Sequence, residues 1–335
     1  MMISNSGHQP AGVAILPTTS DISPAHRWRH FQARFSINRN GHRVDPGLYS
    51  LGSPTEKSPV FATANYMLSF DALRSSLAGM DCYILVLDTE GINVWCAAGK
   101  GTFGTDELVN RIEATSLHEV VKHRKLILPQ LGAPGVAAHQ VKQRSGFGVE
   151  FGPVLAKDLP EYLKTHKATP EMRRVDFTLR DRVVLIPVEV VSVLLPMLIA
   201  AVILYFTGGL MASAGAAAAI LAGAVLFPIL LPWIPTSNFS TKGFILGGLV
   251  ALPFFLASII GNPDQALWQR AGWAFAYLLA LPSVTAFITL NFTGASTFTS
   301  RSGVKREIFA YIPVMAWMFG GGIVLSITFT LIHVL

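Results

Sequence analysis

The chain has 335 residues, 51% of them hydrophobic and only 14% charged, with a formal net charge of +6. An ordinary soluble protein carries roughly 25% charged residues, and here the apolar excess lies after Arg182 while nearly all the charge lies before it. That split predicts a soluble domain followed by a membrane domain. No arginine-rich run is interleaved with aromatics, so the basic balance reads as membrane topology and not as nucleic-acid binding. The two cysteines, Cys82 and Cys96, are too few for a disulfide scaffold or a multi-cysteine zinc site.

Residues 1–59 are rich in Gly, Pro, Ser, Arg and His and read as an extended, loop-forming segment packed on the next domain, with Trp28, Phe31, Phe35 and Ile37 docking it. His26, His30 and His42 are spaced irregularly for a metal site. The first residues lack a basic stretch followed by an apolar run, so a cytosolic, reducing location is expected for this part of the chain. From 60 to 169, short apolar runs alternate with helical stretches, which predicts βαβ units and a parallel sheet. Asp81–Asp88 reads as a buried strand holding Cys82 as a core thiol. It leads through Thr89-Glu90-Gly91 into a short helix, Asn93-Val94-Trp95-Cys96-Ala97-Ala98-Gly99-Lys100, with Asn93 as its N-cap and Gly99 and Gly101 limiting its end. Cys96 falls in the first turn, where unpaired backbone N–H groups and the helix dipole favour an anion, so a thiolate forms there more readily than on a free cysteine. Gly99 and Lys100 share its face. Gly99-Lys100-Gly101-Thr102 is no phosphate-binding loop: position 94 is Val and position 101 is Gly, where that motif needs Gly and Ser or Thr. A helix capped by Thr105 follows, then a strand at Lys125–Pro129, a Gly/Pro loop at Leu131–Val136, a helix from Ala137 to Arg144 and a strand at Phe147–Phe151. In an open α/β sheet ligands sit at the carboxyl ends of the strands, where both the short helix and the Gly/Pro loop fall.

A basic connector, 170–182, precedes five expected spans at about Val183–Phe206, Ala214–Ile234, Phe244–Ile260, Trp273–Phe292 and Ile308–Leu335. Lys242, Arg301, Lys305 and Arg306 lie in loops that the positive-inside rule places in the cytosol with the N-terminal domain, leaving the C-terminus with His333 outside. The expectation is a multi-pass protein of the cytoplasmic (inner) membrane. Glu189 is near the interface end of the first span, and the helical domain reads as an anchor.

The octet Asn93–Lys100 resembles the cap-helix motif of the membrane corrinoid proteins of microbial mercury methylation (the HgcA family), Asn-Val/Ile-Trp-Cys-Ala-Ala/Gly-Gly-Lys, at every position. The surrounding domain is also similar, in pattern, to the corrinoid domain of the large subunit of the corrinoid iron–sulfur protein. These resemblances imply a Rossmann-like α/β corrinoid-binding domain followed by an all-α transmembrane domain of five helices. They imply a cobalamin-type cofactor whose cobalt takes Cys96 as its lower ligand. Asn93, Val94 and Trp95 would take part in binding the cofactor, with Asn93 capping and orienting the helix and Trp95 packing it on the sheet. Ala97, Ala98 and Gly99 would give the corrin clearance, and Lys100 would hold a corrin side chain or be solvated. Gly132 and Ala133 of the Gly/Pro loop, and His139 after it, would bound the pocket. The implied reaction is methyl transfer from a methyl-cobalt(III) corrinoid to inorganic mercury(II). The implied partners are a ferredoxin-like [4Fe–4S] electron donor and a methyltransferase drawing on methyltetrahydrofolate. A cluster needs about four cysteines, so this chain holds none of its own. Two other readings stay open: a corrinoid methyl carrier of one-carbon metabolism with a different acceptor, and a cofactor-free membrane thiol or redox protein.

Overall fold

The computed structural model describes residues 14–38, 41–261, 263–296 and 299–334. The start of the expected N-terminal segment and Leu335 lie outside these, as do the side chains of Arg301 and His333. The chain divides after Val175 into two compact units.

The first unit runs β1 (Ile15–Thr18), α1 (Pro24–Arg34), β2 (Gly47–Leu51), β3 (Val60–Ala64), α2 (Met67–Ser76), β4 (Cys82–Leu87), α3 (Val94–Lys100), α4 (Thr105–Ala114), α5 (Leu117–Val120), β5 (Lys125–Leu128), α6 (Ala138–Ser145), β6 (Gly148–Phe151) and α7 (Leu159–Thr165). The described strands form one sheet in the order β1-β2-β4-β3-β5-β6. β4, β3, β5 and β6 are mutually parallel, whereas β2 pairs antiparallel with β4 and β1 lies parallel to β2. The sheet is therefore mixed: its strands from residue 60 onward are parallel, as the sequence predicts, and the antiparallel pairing comes from β2, in the segment read as loops. The stretch read as loops supplies two strands and a helix of the unit.

β3 and β4 are buried along their whole length because helices cover both faces. Side chains alternate between the faces with the period of two that a strand imposes. Tyr83, Leu85 and Leu87 point to the side covered by α3, α4 and α6, while Cys82, Ile84 and Val86 point to the side of α2 and α7. Helix α3 is held on its face of the sheet by Val94, Ala97 and Ala98, all buried in that core.

The second unit comprises α8 (Leu179–Val183), α9 (Ile186–Leu221), a π turn at Ala222–Leu226, α10 (Phe227–Leu230), α11 (Phe239–Ile260), α12 (Leu267–Asn291) and α13 (Arg301–Val334). Among the described residues, four helical runs are long and apolar enough to cross a membrane, by length and composition: Leu179–Leu230, Phe239–Ile260, Leu267–Gly294 and Ser302–Ile332. The first of the five expected spans and most of the second fall within the first of these runs. That run is not straight. Gly209 has φ 73° and ψ −174°, outside the helical region. Arg182 Nη1 donates to the carbonyls of Pro228 (2.9 Å) and Ile229 (2.7 Å). A straight helix would place residues 46 apart at roughly 69 Å from one another, at 1.5 Å per residue, so the run folds back on itself. Glycines let α11 lie against α12: a Cβ at Gly243 would come 2.1 Å from Thr289 Oγ1, and one at Gly247 would come 2.6 Å from Pro282 Cα. Lys242, expected in a loop, lies instead in the first turn of α11, buried, with its ammonium donating to the carbonyls of Leu231 (2.9 Å) and Ile234.

Candidate functional site

The carboxyl ends of the parallel strands β3, β4 and β5 lead into three adjoining segments: Asn65, the turn Asp88–Gly91 before α3, and the loop from Pro129 to Ala137. Asn65 joins the first two. It is buried at the end of β3, and its side-chain oxygen accepts from Thr89 N (3.1 Å), Thr89 Oγ1 (2.9 Å) and Gly91 N (2.9 Å), while its amide nitrogen donates to Asp88 Oδ1 (3.0 Å). Glu90 and Gly91 both have positive φ in this turn, 59° and 73°. Glu107 of α4 braces the same turn by accepting from Asp88 N (2.8 Å) while paired with Arg111.

The turn delivers the chain to α3 in the manner that its sequence predicts. Asn93 is the N-cap, and its side-chain oxygen accepts from Cys96 N at 2.9 Å. Gly101, with φ 93°, ends the helix after seven residues. The helix has two unlike sides. Val94, Ala97 and Ala98 are buried against the sheet, whereas Cys96, Gly99 and Trp95 are half-buried and Asn93 and Lys100 are exposed. Two expectations are corrected here. Val94, not Trp95, packs the helix onto the sheet. Ala97 and Ala98 face the core and give a ligand no clearance. Gly99 does leave its face bare: a Cβ there would meet nothing within 4 Å. The site is thus one accessible thiol with an empty position a single turn farther along the same face.

The loop after β5 packs against the C-terminal end of α3. A Cβ at Gly135 would lie 2.2 Å from the Phe103 carbonyl oxygen and 3.1 Å from Ala98 Cα. One at Gly132 would lie 2.5 Å from the Phe103 ring. Gly132 is therefore buried beneath Phe103, and its smallness serves loop packing; the expected contact with a cofactor is not what this position provides. Ala133 is half-buried, and His139 is exposed in the first turn of α6. Thr105 does not cap α4, whose N-cap is Gly104; its hydroxyl instead accepts from Ala137 N (2.9 Å) and ties the loop to α4. Asn65, Gly135 and this Thr105 strut are the supporting residues that the sequence did not disclose. The one available signal was the position of Asn65, a polar residue directly after the buried run 60–64 at a strand's carboxyl end.

Cys82 is fully buried inside β4, as its sequence setting predicts. Burial, followed by the neighbouring Asp81 carboxylate, pushes its thiol up to about 12. The histidines near the N-terminus are engaged locally. His26 closes a capping box with Ser23, His30 meets Asp71 at 2.6 Å and His42 meets the Ile37 carbonyl at 2.6 Å. Among the described residues, no three His, Cys, Asp or Glu side chains converge on a metal position.

The family model of the CO dehydrogenase/acetyl-CoA synthase delta subunit matches residues 15–162, which lie wholly within the first unit. Similar proteins include the gamma subunits of the acetyl-CoA decarbonylase/synthase complex of three archaea. The subunit of Methanopyrus kandleri is 33% identical over 135 residues, 40% of this chain and 29% of that protein. That of Methanothermobacter thermautotrophicus is 33% identical over 134 residues, 39% and 29%. That of Archaeoglobus fulgidus is 34% identical over 126 residues, 36% and 26%. The chain thus spans less than a third of the length of each of these relatives. The matches correct the resemblance to the mercury-methylating family, and the mercury(II) acceptor falls with it. The family model's match lies within the α/β unit that carries Cys96.

Proposed function

We propose that the chain is a corrinoid-dependent methyl carrier of one-carbon metabolism, with Cys96 as the thiolate that ligates cobalt. The observation that carries this reading is the outward face of α3. It has a half-buried sulfur, a bare glycine one turn on, and a helix backbone fixed from beneath by Val94, Ala97 and Ala98. A corrinoid fits that face. A soft thiolate suits cobalt, and a large planar ring needs side-chain-free surface next to the sulfur. When bound, the corrinoid supplies the chemistry of accepting and releasing a methyl group.

The rest is the chain's own work. Asn93 holds the Cys96 backbone N–H, so the first turn is set before any ligand arrives. Gly99 would leave room for the ring, and Lys100 would offer a cation to the corrinoid. Ala133 and His139 are candidates for the far rim. The turn at Asp88–Gly91, held by Asn65, keeps α3 from shifting on the sheet.

The matched family's names describe subunits of a complex, which supports partner proteins for this chain as well. We assign it a methyl donor of the methyltetrahydrofolate type, whose methyl group a separate methyltransferase passes on. A ferredoxin-like [4Fe–4S] protein would serve as electron donor, since this chain has two cysteines and one is sealed in β4. The helical unit is read as an anchor in the cytoplasmic membrane, with the α/β unit on the cytosolic side.

The test is the visible spectrum of the full chain reconstituted with cobalamin, beside Cys96→Ala. The reading expects bound cobalamin with a sulfur-to-cobalt signature in the parent and its loss in the variant. Identical spectra, or no bound cobalamin in either, would sink it and favour a cofactor-free thiol protein.

A further inference from the structure

Helix α1 turns its apolar side away from the protein. Trp28, Phe31 and Phe35 recur at helical spacing on one face, where Trp28 and Phe31 stack at 5.3 Å and Phe31 meets Phe35 at 4.4 Å. Trp28 is 60% exposed, Phe31 45% and the following Ile37 49%. The side turned inward is polar: His30 bonds Asp71, which is itself paired with Arg74. The sequence-based expectation that these residues dock the segment on the next domain is therefore reversed for Trp28, Phe31 and Ile37, while Phe35 is half-buried. Steps of 100° per residue place Arg27 and Arg34 on one flank of the aromatic ridge, with Arg29 on the other side. The helix contains no acid.

We propose that this face docks on an anionic lipid surface. An exposed Trp–Phe ridge suits the boundary between headgroups and acyl chains, and flanking arginines suit lipid phosphates. Positive charge beside the ridge, with no acid in the helix, favours a negatively charged bilayer over a second copy of the same basic helix. The proposal rests on the membrane reading of the helical unit, which would keep α1 within reach of a bilayer.

The experiment places the full chain in nanodiscs of phosphatidylcholine with and without phosphatidylglycerol. The fluorescence of Trp28 is obtained as the difference between the parent and Trp28→Phe, using brominated lipid and aqueous iodide as quenchers. Docking predicts quenching by brominated lipid, and protection from iodide, that strengthen with phosphatidylglycerol and weaken with salt. Each of Arg27→Gln, Arg29→Gln and Arg34→Gln should lower the docking equilibrium about five-fold. Trp28 open to iodide and insensitive to brominated lipid in both compositions overturns the proposal while leaving the anchor reading intact. Iodide protection in detergent without lipid also overturns it, by placing a second copy or another part of the chain on the ridge. A chain that does not enter nanodiscs at all removes the anchor reading and this proposal together.

Discussion

At the scale of single residues, two glycines of the site make opposite predictions. Gly99 has open space where a side chain would go, and Gly135 has a carbonyl oxygen 2.2 Å away. Gly99→Phe should leave thermal stability within about 1 kcal/mol of the parent, since glycine is itself a poor helix former, yet weaken cobalamin binding about tenfold or more. Gly135→Ala should cost about 1–3 kcal/mol through overpacking, and its cobalamin affinity per folded molecule should be unchanged. Melting curves and cobalamin titrations on both variants check this. Equal affinity in Gly99→Phe and the parent would remove the bare face from the argument. The sequence disclosed half of this site. Asn93, Cys96 and Gly99 stand where the octet placed them, because capping and helix termination are local. Ala97 and Ala98 were assigned to the wrong side. Yet Val94, Ala97 and Ala98 fall at i, i+3 and i+4, the spacing of a buried stripe, so that side was open to reading from periodicity. Gly132 and Gly135 read as parts of a Gly/Pro loop bounding the pocket. Their actual constraint, the closeness of Phe103 and Ala98, comes from residues about thirty positions earlier and leaves no local trace.

At the scale of elements, β4, α3, β5, α6 and β6 lie close to where their apolar runs and turn residues put them, because each is buried by neighbours that impose its pattern. β1, α1 and β2 did not show in the sequence. α1 carries its aromatics outward, and β2 gains its partner, β4, from a segment some thirty residues away, so neither displays ordinary periodicity against a local core. The sequence divides the helical run Leu179–Leu230 into two spans parted at 207–213. The structure has its non-helical residue, Gly209, in that interval, and the contact of Arg182 with the Pro228 and Ile229 carbonyls shows that the run turns back. The junction of β3, β4 and α3 depends on a single amide. Asn65→Ala would leave the N–H groups of Thr89 and Gly91 without their buried acceptor. We expect a loss of about 2–3 kcal/mol, in the range for an unsatisfied buried group, together with faster hydrogen exchange confined to the turn at 88–91 and the start of α3. Exchange unchanged in that turn would show that the positive-φ backbone holds it without Asn65.

At the scale of the whole molecule, the family match and the physical division of the chain coincide: residues 15–162 are matched, and the first unit ends at Val175. The α/β unit closes its own core on both faces of the sheet, with α3, α4 and α6 on one side and α2 and α7 on the other. Nothing in either cluster comes from the helical unit. Its supports for the site, Asn65, Glu107, Thr105 and Gly135, are all internal as well. A chain ended at Val175 should therefore unfold in one cooperative step and bind cobalamin through Cys96 with nearly the affinity of the full protein, while losing attachment to neutral vesicles, which offer the ridge of α1 no anionic lipid. Circular dichroism on heating, a cobalamin titration of the truncated chain and its Cys96→Ala variant, and flotation with neutral lipid vesicles measure the three parts separately. Cooperative melting without cobalamin binding would mean that the corrinoid reading needs residues beyond 175. Binding without loss of vesicle attachment would shift the membrane contact onto the α/β unit itself, where the outward ridge of α1 is the surface that could make it.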